Sequence, residues 1–206
     1  MSKATQTDAM GSIQRGIKRT LDFVMSALGL ILLSPIFIII SVLMKFQGNG
    51  PIFFRQIRIG YKGKPFVILK FRTISKKTEK NTPQLIAKTS CKSSTPFEKF
   101  LREHHLDELP QLWNVLVGDM SLVGPRPERK YFIDKIMEHT DLYTVIYNMR
   151  PGLTSEATLY NGYTDTMEKM LKRLQMDISY FERRSLWLDF KIIIKTFVNI
   201  VSGNKF

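Results

Sequence analysis

Two adjacent carboxylates, Asp107 and Glu108, are the residues whose types and spacing best suit chemistry. They precede Pro110 in the segment LDELPQLWNVLVGDMSLVGPRPE, residues 106–128, where apolar residues keep a helical period. This pattern predicts that the pair lies in the first turn of a helix, where the helix dipole favours ionised carboxylates. Such a pair can supply a nucleophile or oxygen ligands for a divalent cation. Taken alone, such a pair more often reflects ordinary electrostatics at a helix end.

Two arginines close to this segment are held by rigid backbone. Arg126 stands between Pro125 and Pro127, and Arg150 begins an Arg-Pro-Gly turn. A restrained guanidinium is well suited to bidentate phosphate binding, although a Pro-Arg-Pro sequence also serves as a rigid connector. Both arginines are therefore candidate phosphate contacts. The pattern over 141–149 predicts a helix that ends at Arg150.

Residues 51–74 alternate apolar and basic side chains around a Gly-Tyr-Lys-Gly-Lys turn at 60–64, which predicts a β-hairpin. Its basic side chains, Lys70 and Arg72 among them, either face phosphates or form a solvated strand face near anionic lipid. The polar stretch 75–95 that follows is typical of a loop. Residues 97–105 then have the spacing of a short amphipathic helix.

An uncharged run of 22 residues, Phe23 to Met44, has the length of a bilayer as a straight helix, about 33 Å. Ser34 and Pro35 lie in its middle, where proline predicts a bend and the serine hydroxyl can bond a freed carbonyl. Basic residues flank both ends, which indicates that both ends face the cytoplasm. We therefore predict a re-entrant membrane helix over 17–45, with a kinked transmembrane helix and a buried soluble helix as alternatives.

The composition fits one compact catalytic unit. The chain has 206 residues, 44% of them hydrophobic, and a formal net charge of +13 that implies an acidic partner: nucleic acid, anionic lipid or phosphorylated small molecules. Cys91 is the only cysteine, which excludes an intrachain disulfide. We expect a flexible lead-in over 1–16 and a catalytic domain over 46–206 at the cytoplasmic face of the membrane.

The predicted fold class is α+β and dominated by helices. It combines the membrane helix broken at Ser34-Pro35, the small β-hairpin and amphipathic helices that lie in the membrane interface. A further amphipathic helix is predicted over 167–181. The C-terminal helix carries a narrow polar stripe of Asp189, Lys191, Lys195 and Asn199. Such a helix either packs across the core or, as we favour, lies in the membrane interface, where Trp187 would suit the headgroup zone.

Several motifs in a fixed order resemble those of the small monotopic phosphoglycosyl transferases, the bacterial sugar transferases that start assembly of lipid-linked glycans. The resemblance covers about Lys18 to Gly203, nearly the whole chain. The 23-residue block around the acidic pair is its most specific part. The other motifs are KRTLD (18–22), the Ser34-Pro35 break, GPIFFRQIRIG (50–60), KFRT (70–73), FLR (100–102) and RPGLT (150–154).

The resemblance implies a reaction and a set of partners. Asp107 would attack the β-phosphate of a UDP-sugar and form an aspartyl phosphosugar with release of UMP, and polyprenyl (undecaprenyl) phosphate would then accept the phosphosugar. Glu108 would help to hold Mg²⁺, with Asp107 as the other ligand, or would manage protons. Arg102, Arg126 and Arg150 would contact substrate phosphates, with Lys70 and Arg72 added from the hairpin. The implied location is the cytoplasmic face of the bacterial inner membrane, against anionic lipid.

Some residues depart from the family pattern. After Arg150-Pro151-Gly152, Ser155 replaces a glycine, Glu156 an aromatic residue, Thr158 a glutamine and Tyr163 an arginine, and Glu98 replaces a glycine after Phe97. We interpret these as a changed substrate pocket. Two other hypotheses stay open: a membrane-anchored nucleic-acid-binding protein, favoured by the charge and the basic hairpin, and an inactive scaffold of a glycan-assembly complex. The transferase hypothesis predicts no nucleic-acid partner. The sequence leaves the sugar, the pathway and the oligomeric state open.

Overall fold

The structure, a computed structural model, describes residues 7–48, 50–73, 95–162, 164 and 166–202, and helices dominate them. Most of the predicted loop over 75–95 lies outside the described residues. The helices are α1 (Ser12–Leu32), α2 (Ser34–Phe46), α3 (Pro96–Glu103), α4 (Gln111–Val117), α5 (Lys130–Met137), α6 (Glu156–Asn161), α7 (Met167–Arg183) and α8 (Leu186–Val201), and the strands are β1 (Phe53–Ile59), β2 (Pro65–Phe71), β3 (Ser121–Val123) and β4 (Gly152–Thr154).

Helices α1 and α2 are two parts of one apolar segment and meet at a bend of 57°. Pro35 lies in the first turn of α2, where its missing N–H costs no helical hydrogen bond. The Ser34 hydroxyl donates to the Ile31 carbonyl at 2.8 Å. The predicted break and the predicted role of the serine are confirmed. Among the described residues no single helix is long and apolar enough to cross a bilayer, whereas the bent pair taken together is.

One side of the bent pair packs against the rest of the chain. Ile40 and Met44 of α2 are buried with Phe71 of β2 and Leu101 of α3. The other side is left as apolar surface, with Leu32 exposed by 74% and many neighbouring side chains near half-exposed.

Strands β1 and β2 form the predicted antiparallel hairpin, in a register that pairs Phe53 with Phe71 and Ile59 with Pro65. Lys62 and Gly63 adopt positive φ in the turn. The side chain of Asn114 in α4 then ties the hairpin to that helix, because it accepts from Leu69 N at 3.0 Å and donates to the Val67 carbonyl at 2.8 Å.

The second sheet joins two segments through their backbones. Strands β3 and β4 are parallel, and β4 also bonds to the residues that follow β3: Gly152 N donates to the Pro125 carbonyl at 2.9 Å and Gly124 N donates to the Thr154 carbonyl at 3.0 Å. A Cβ on Gly152 would collide with the backbone of Gly124. Glycine is therefore required where these segments meet, for lack of space.

The largest core lies among β3, α5, a 3₁₀ helix (Asp141–Asn148), α7 and α8. The helix predicted over 141–149 is thus present as a 3₁₀ helix, and the helix predicted over 167–181 is α7. Buried members of this core include Val123, Ile133, Ile136, Met149, Met170, Leu174, Phe181 and Ile192.

Helix α8 has an exposed apolar surface, with Trp187 exposed by 63% and Phe197 by 65%. Asp189, predicted as part of its polar stripe, is instead buried. Its carboxylate accepts from Lys18 Nζ at 2.7 Å and from the Tyr180 hydroxyl at 2.5 Å. The aspartate therefore points into the protein because α1 supplies a lysine that neutralises it.

The residues just before α1 make specific contacts. Asp8 accepts two hydrogen bonds from Arg184, and Met10 is buried. The helix itself begins at Ser12, five residues before the predicted start of the membrane helix. The prediction of a flexible lead-in over 1–16 does not anticipate these contacts.

Candidate active site

The acidic pair lies in a 3₁₀ turn, Leu106–Glu108, and not in the first turn of α4. The predicted helix type was wrong for two local reasons. His105 has a left-handed backbone at φ 54°, which separates the turn from α3, and Pro110 has no N–H with which to continue an α-helical ladder. The N–H groups of Glu108 and Leu109 accordingly donate to carbonyls three residues back.

Glu108 holds two cations at one oxygen. Its Oε1 accepts from Lys70 Nζ at 2.5 Å and from Arg126 Nη2 at 2.9 Å. Burial acts to raise the pKa of Glu108, but the charges of Arg126 and Lys70 outweigh it and hold that pKa well below its ordinary range. Glu108 therefore stays ionised and joins β2, the acidic turn and the Pro-Arg-Pro segment.

Asp107 differs from its neighbour. Asp107 is 7% exposed, and its carboxylate accepts from its own backbone N–H but has no ion pair or hydrogen bond with another side chain in the described ranges. Burial raises the pKa of Asp107 to about 6, with the charge of Lys70 opposing the rise. At neutral pH the carboxylate is thus mostly ionised, partly desolvated and without a cationic partner in contact.

Three side chains on the elements around the pair carry buried nitrogen donors without acceptors. The nitrogens are Nη1 of Arg102 on α3, Nε and Nη2 of Arg72 after β2, and Nε2 of Gln111 at the start of α4. Each such donor costs about 1–3 kcal/mol when left unmatched. Since every unmatched atom of this set is a donor, the set favours an acceptor-rich, anionic ligand.

Arg72 is largely committed within the protein. Its Nη1 donates to the Pro51 carbonyl at 2.7 Å, and its Nη2 lies 3.6 Å from Oε1 of Glu98, which is beyond hydrogen-bond length. Glu98 also forms a capping box with Thr95 at the start of α3. The departure from the family's glycine at Glu98 therefore has a local structural function.

Gln111 was not identified from the sequence as a candidate site residue. It is 2% exposed, and the nitrogen of its side-chain amide has no hydrogen-bond partner within the described residues. The only signal was its position four residues after Asp107 in a run of helical backbone, which places both side chains on one face. That signal is common, and only the unmatched amide makes it informative.

Arg150 lies away from the acidic pair. Its Nε donates to the Gly118 carbonyl at 2.9 Å, just beyond the C-terminal end of α4, whereas the pair precedes the N-terminal end. The seven residues of α4 separate these ends by about 10 Å. The structure thus brings Lys70 and Arg126 to Glu108, whereas Arg150 lies at the other end of α4. The phosphate-binding role of Arg150 stays a prediction.

The carboxylate oxygens of the acidic pair are ligands that suit a hard cation. No cluster of three or more His, Cys, Asp or Glu side chains arranged for a metal occurs in the part of the chain that the structure describes. Mg²⁺ needs only one or two carboxylates because it keeps several waters. Asp107 offers an uncommitted carboxylate and Glu108 its second oxygen, Oε2, so these residues fit such an ion.

The structure thus combines a bent pair of apolar helices with a buried carboxylate and several buried nitrogens that lack acceptors. A family model described as bacterial sugar transferase matches residues 13–203. The chain therefore belongs to the bacterial sugar transferase family.

Curated relatives share substantial identity. The chain is 40% identical over 190 residues to a UDP-glucose:undecaprenyl-phosphate glucose-1-phosphate transferase of Klebsiella pneumoniae, which covers 91% of this chain and 40% of the relative. A protein of the same name from Caulobacter vibrioides is 40% identical over 90% of this chain and 70% of its own length. A UDP-N-acetylgalactosamine-undecaprenyl-phosphate N-acetylgalactosaminephosphotransferase of Aeromonas hydrophila is 35% identical over 91% of this chain and 44% of its own length.

The chain spans only about 40% of the length of several of these relatives. Their shared region corresponds to the whole helical unit described above.

Proposed function

We propose that this chain transfers a sugar 1-phosphate from a UDP-sugar to polyprenyl phosphate, with Asp107 as the nucleophile. The observation that carries the proposal is the contrast within the acidic pair: Glu108 is held by Lys70 and Arg126, while Asp107 is buried and has no ion pair among the described residues. The names of the relatives support this reaction type, since they join a UDP-sugar to undecaprenyl phosphate.

The reaction proceeds in two displacements. A carboxylate oxygen of Asp107 attacks the β-phosphorus of the UDP-sugar, and the bond from that phosphorus to the bridging oxygen breaks, so that UMP leaves with the oxygen. A phosphate oxygen of the polyprenyl phosphate then attacks the phosphorus of the aspartyl phosphosugar. The Asp107 carboxylate is released unchanged, and the difficult transfer has been divided into two easier steps.

The surrounding residues have separate tasks. Arg102 and Gln111 donate to oxygens of the transferring phosphoryl group, which satisfies their unmatched nitrogens. Glu108 fixes the acidic turn against Lys70 and Arg126, whose charges also attract the diphosphate. Mg²⁺ held by Asp107 and Glu108 would neutralise charge on the diphosphate.

Membrane attachment follows from the exposed apolar surfaces. The bent pair α1 and α2 enters the cytoplasmic leaflet of the inner membrane and returns, which keeps the basic residues at both of its ends in the cytoplasm and near anionic lipid. Helix α8 lies in the interface with Trp187 at headgroup level. A soluble nucleotide sugar and a lipid-anchored phosphate can meet at that depth.

The two rival hypotheses are less well supported. On the hairpin Lys70 is paired with Glu108 and Arg58 with Glu128, which leaves the exposed Arg55, Lys62 and Lys64 as the basic side chains that a nucleic acid could contact. An inactive scaffold would have no use for a desolvated aspartate among unmatched donors. Neither rival accounts for the acidic turn.

The test is UMP release by purified protein supplied with Mg²⁺, undecaprenyl phosphate and a panel of UDP-sugars. One sugar should give turnover, Asp107→Asn should abolish it and Glu108→Gln should lose most of it. Asp134→Asn, an exposed aspartate paired with Lys130, is the matched control and should retain full activity.

Exchange of labelled UMP into the UDP-sugar without lipid acceptor reports the covalent step. It should occur in the native protein and vanish in Asp107→Asn. Turnover by Asp107→Asn would refute the covalent mechanism, and an inactive native protein with every sugar would favour the scaffold.

A further inference from the structure

A cavity of about 60 Å³ lies between the start of α1, the hairpin turn, β3 and the Arg150 segment. The cavity is separate from the acidic pair, since neither Asp107 nor Glu108 lines it. Its lining contains five basic side chains and one acidic side chain. These are Arg15, Lys18, Arg19, Arg150, Arg184 and Asp22, joined by Tyr61, Ser121, Val123, Asn148 and Met149.

Two guanidinium groups converge there on the end of α4. Arg19 donates to the carbonyls of Val115 and Leu116 at 2.7 and 2.9 Å, and Arg150 donates to that of Gly118. Carbonyls at a helix C-terminus attract cations, which explains a first arginine. A second one brings like charges together, and burial and the charge of Arg150 both lower the pKa of Arg19.

The other basic residues of the lining are neutralised. Asp8 pairs with both Arg15 and Arg184, and Lys18 pairs with Asp189 and more distantly with Asp22. Arg19 and Arg150 have no ion pair with a carboxylate of the described residues. With the paired aspartates counted, the lining therefore keeps two positive charges in excess.

Arg150 is held in a fixed orientation. Its Nε is used by Gly118, and its guanidinium lies 5.0 Å from the centre of the Tyr61 ring. Its two terminal nitrogens have no hydrogen-bond partner among the residues that the structure describes. A guanidinium that is fixed in this way presents two parallel donors, the arrangement that matches two oxygens of one phosphate.

We propose that this cavity is a second phosphate-binding site, in which the terminal nitrogens of Arg150 hold a phosphate group next to Arg19. The inference is independent of the transfer reaction and concerns a different part of the chain. The uncharged run of α1 begins at Phe23, one turn after Arg19, so the cavity opens near the level at which α1 meets the membrane. The phosphate belongs either to a lipid headgroup or to a soluble phosphate compound, and the test separates the two.

The first arm measures thermal unfolding in detergent with inorganic phosphate, against sodium chloride at matched ionic strength. The second arm measures it in nanodiscs of phosphatidylcholine with and without phosphatidylglycerol. Occupancy at about ten times Kd raises Tm by about 3–6 °C in native protein. A shift in the first arm assigns a soluble phosphate, and a shift confined to the second assigns a headgroup.

Arg150→Gln should lose the shift, and Lys130→Gln, which removes an exposed charge of the same sign, should retain it. Arg126→Gln, which alters the acidic pair's surroundings, should also retain it. If Arg150→Gln does not fold, Tyr61→Leu decides, because it removes the ring that orients Arg150 and should at least halve the shift. The proposal is overturned if neither arm gives a shift, if Tyr61→Leu or Arg150→Gln keeps a full shift, or if only Arg126→Gln loses it.

Discussion

Asp107 and Glu108 are consecutive residues of one 3₁₀ turn, yet their surroundings move their pKa values in opposite directions. Two cations hold the pKa of Glu108 low, while burial raises the pKa of Asp107 to about 6. Neighbouring carboxylates with divided pKa values are typical of sites in which one group acts and the other positions. This division supports the proposed reactive role of Asp107.

The pH dependence of the first step follows from this division. Attack requires ionised Asp107, so kcat/KM for UMP release should fall about tenfold per pH unit below about pH 6. Lys70→Met removes a positive charge that lowers the pKa of Asp107, so its acid limb should move to higher pH. Lys130→Met is the control, because that lysine is exposed and lies on α5. An unchanged limb in Lys70→Met would contradict the assignment of Asp107.

Gln111 and Asn114 are both 2% exposed on α4 but differ in their partners. Gln111→Met removes an unmatched amide, so Tm should hold or rise while UMP release falls about 10- to 100-fold, the loss of one hydrogen bond to a charged group. Asn114→Leu leaves Leu69 N and the Val67 carbonyl unmatched and should cost about 1–3 kcal/mol per group. Calorimetry measures the stability of both variants, and an assay of UMP release measures their activity. Near-native activity in Gln111→Met, with native protein active, would remove Gln111 from the site.

Asp177 is a buried carboxylate outside the proposed mechanism, near Arg173 and Tyr143. Burial raises its pKa to about 7, against an attraction from Arg173. The pKa of Asp177 is about 7 in the folded protein and near 3.8 in the unfolded chain. The folded state therefore has the full stabilising contribution of this carboxyl group below about pH 3.8, and it loses that contribution as pH rises through about 7. Asp177→Asn should therefore lose less stability than native protein between about pH 5 and 7, by about 1 kcal/mol per pH unit. Parallel Tm curves for the two proteins would contradict this.

The membrane topology can be read by labelling. Cys91 is first replaced by serine, and single cysteines are placed at Gly16, where a Cβ meets open space, and at Phe46, which is exposed by 86%. A re-entrant pair predicts that an impermeant maleimide reaches both positions in inverted vesicles and neither in spheroplasts. Labels on opposite sides would mean that the helix pair spans the membrane.

Local patterns were sufficient to predict several elements. Alternation around a glycine-rich turn predicted the hairpin, helical spacing predicted α3 and α7, and Ser34-Pro35 predicted the bend. These features depend on neighbouring residues and are visible in a short window of sequence.

Other features depend on partners distant in the chain. The meeting of Arg126 with Glu108, the burial of Asp189 against Lys18 and the contact of Asp8 with Arg184 all join separate segments. The 3₁₀ form of the acidic turn also required the left-handed backbone of His105, which composition does not reveal. Tyr163, one of the departures from the family pattern, lies outside the described residues.

The close approach of Gly124 and Gly152 limits which positions of the chain can accept substitutions. Because main chain meets main chain there, the spacing between the Pro-Arg-Pro and Arg-Pro-Gly segments does not depend on the volume of any side chain. Substitutions farther along, such as Ser155 and Glu156 at the start of α6, can then reshape what the protein selects while the framework of its two arginines keeps its dimensions. We expect sequence variation among relatives to be tolerated outside this junction and to be disruptive within it.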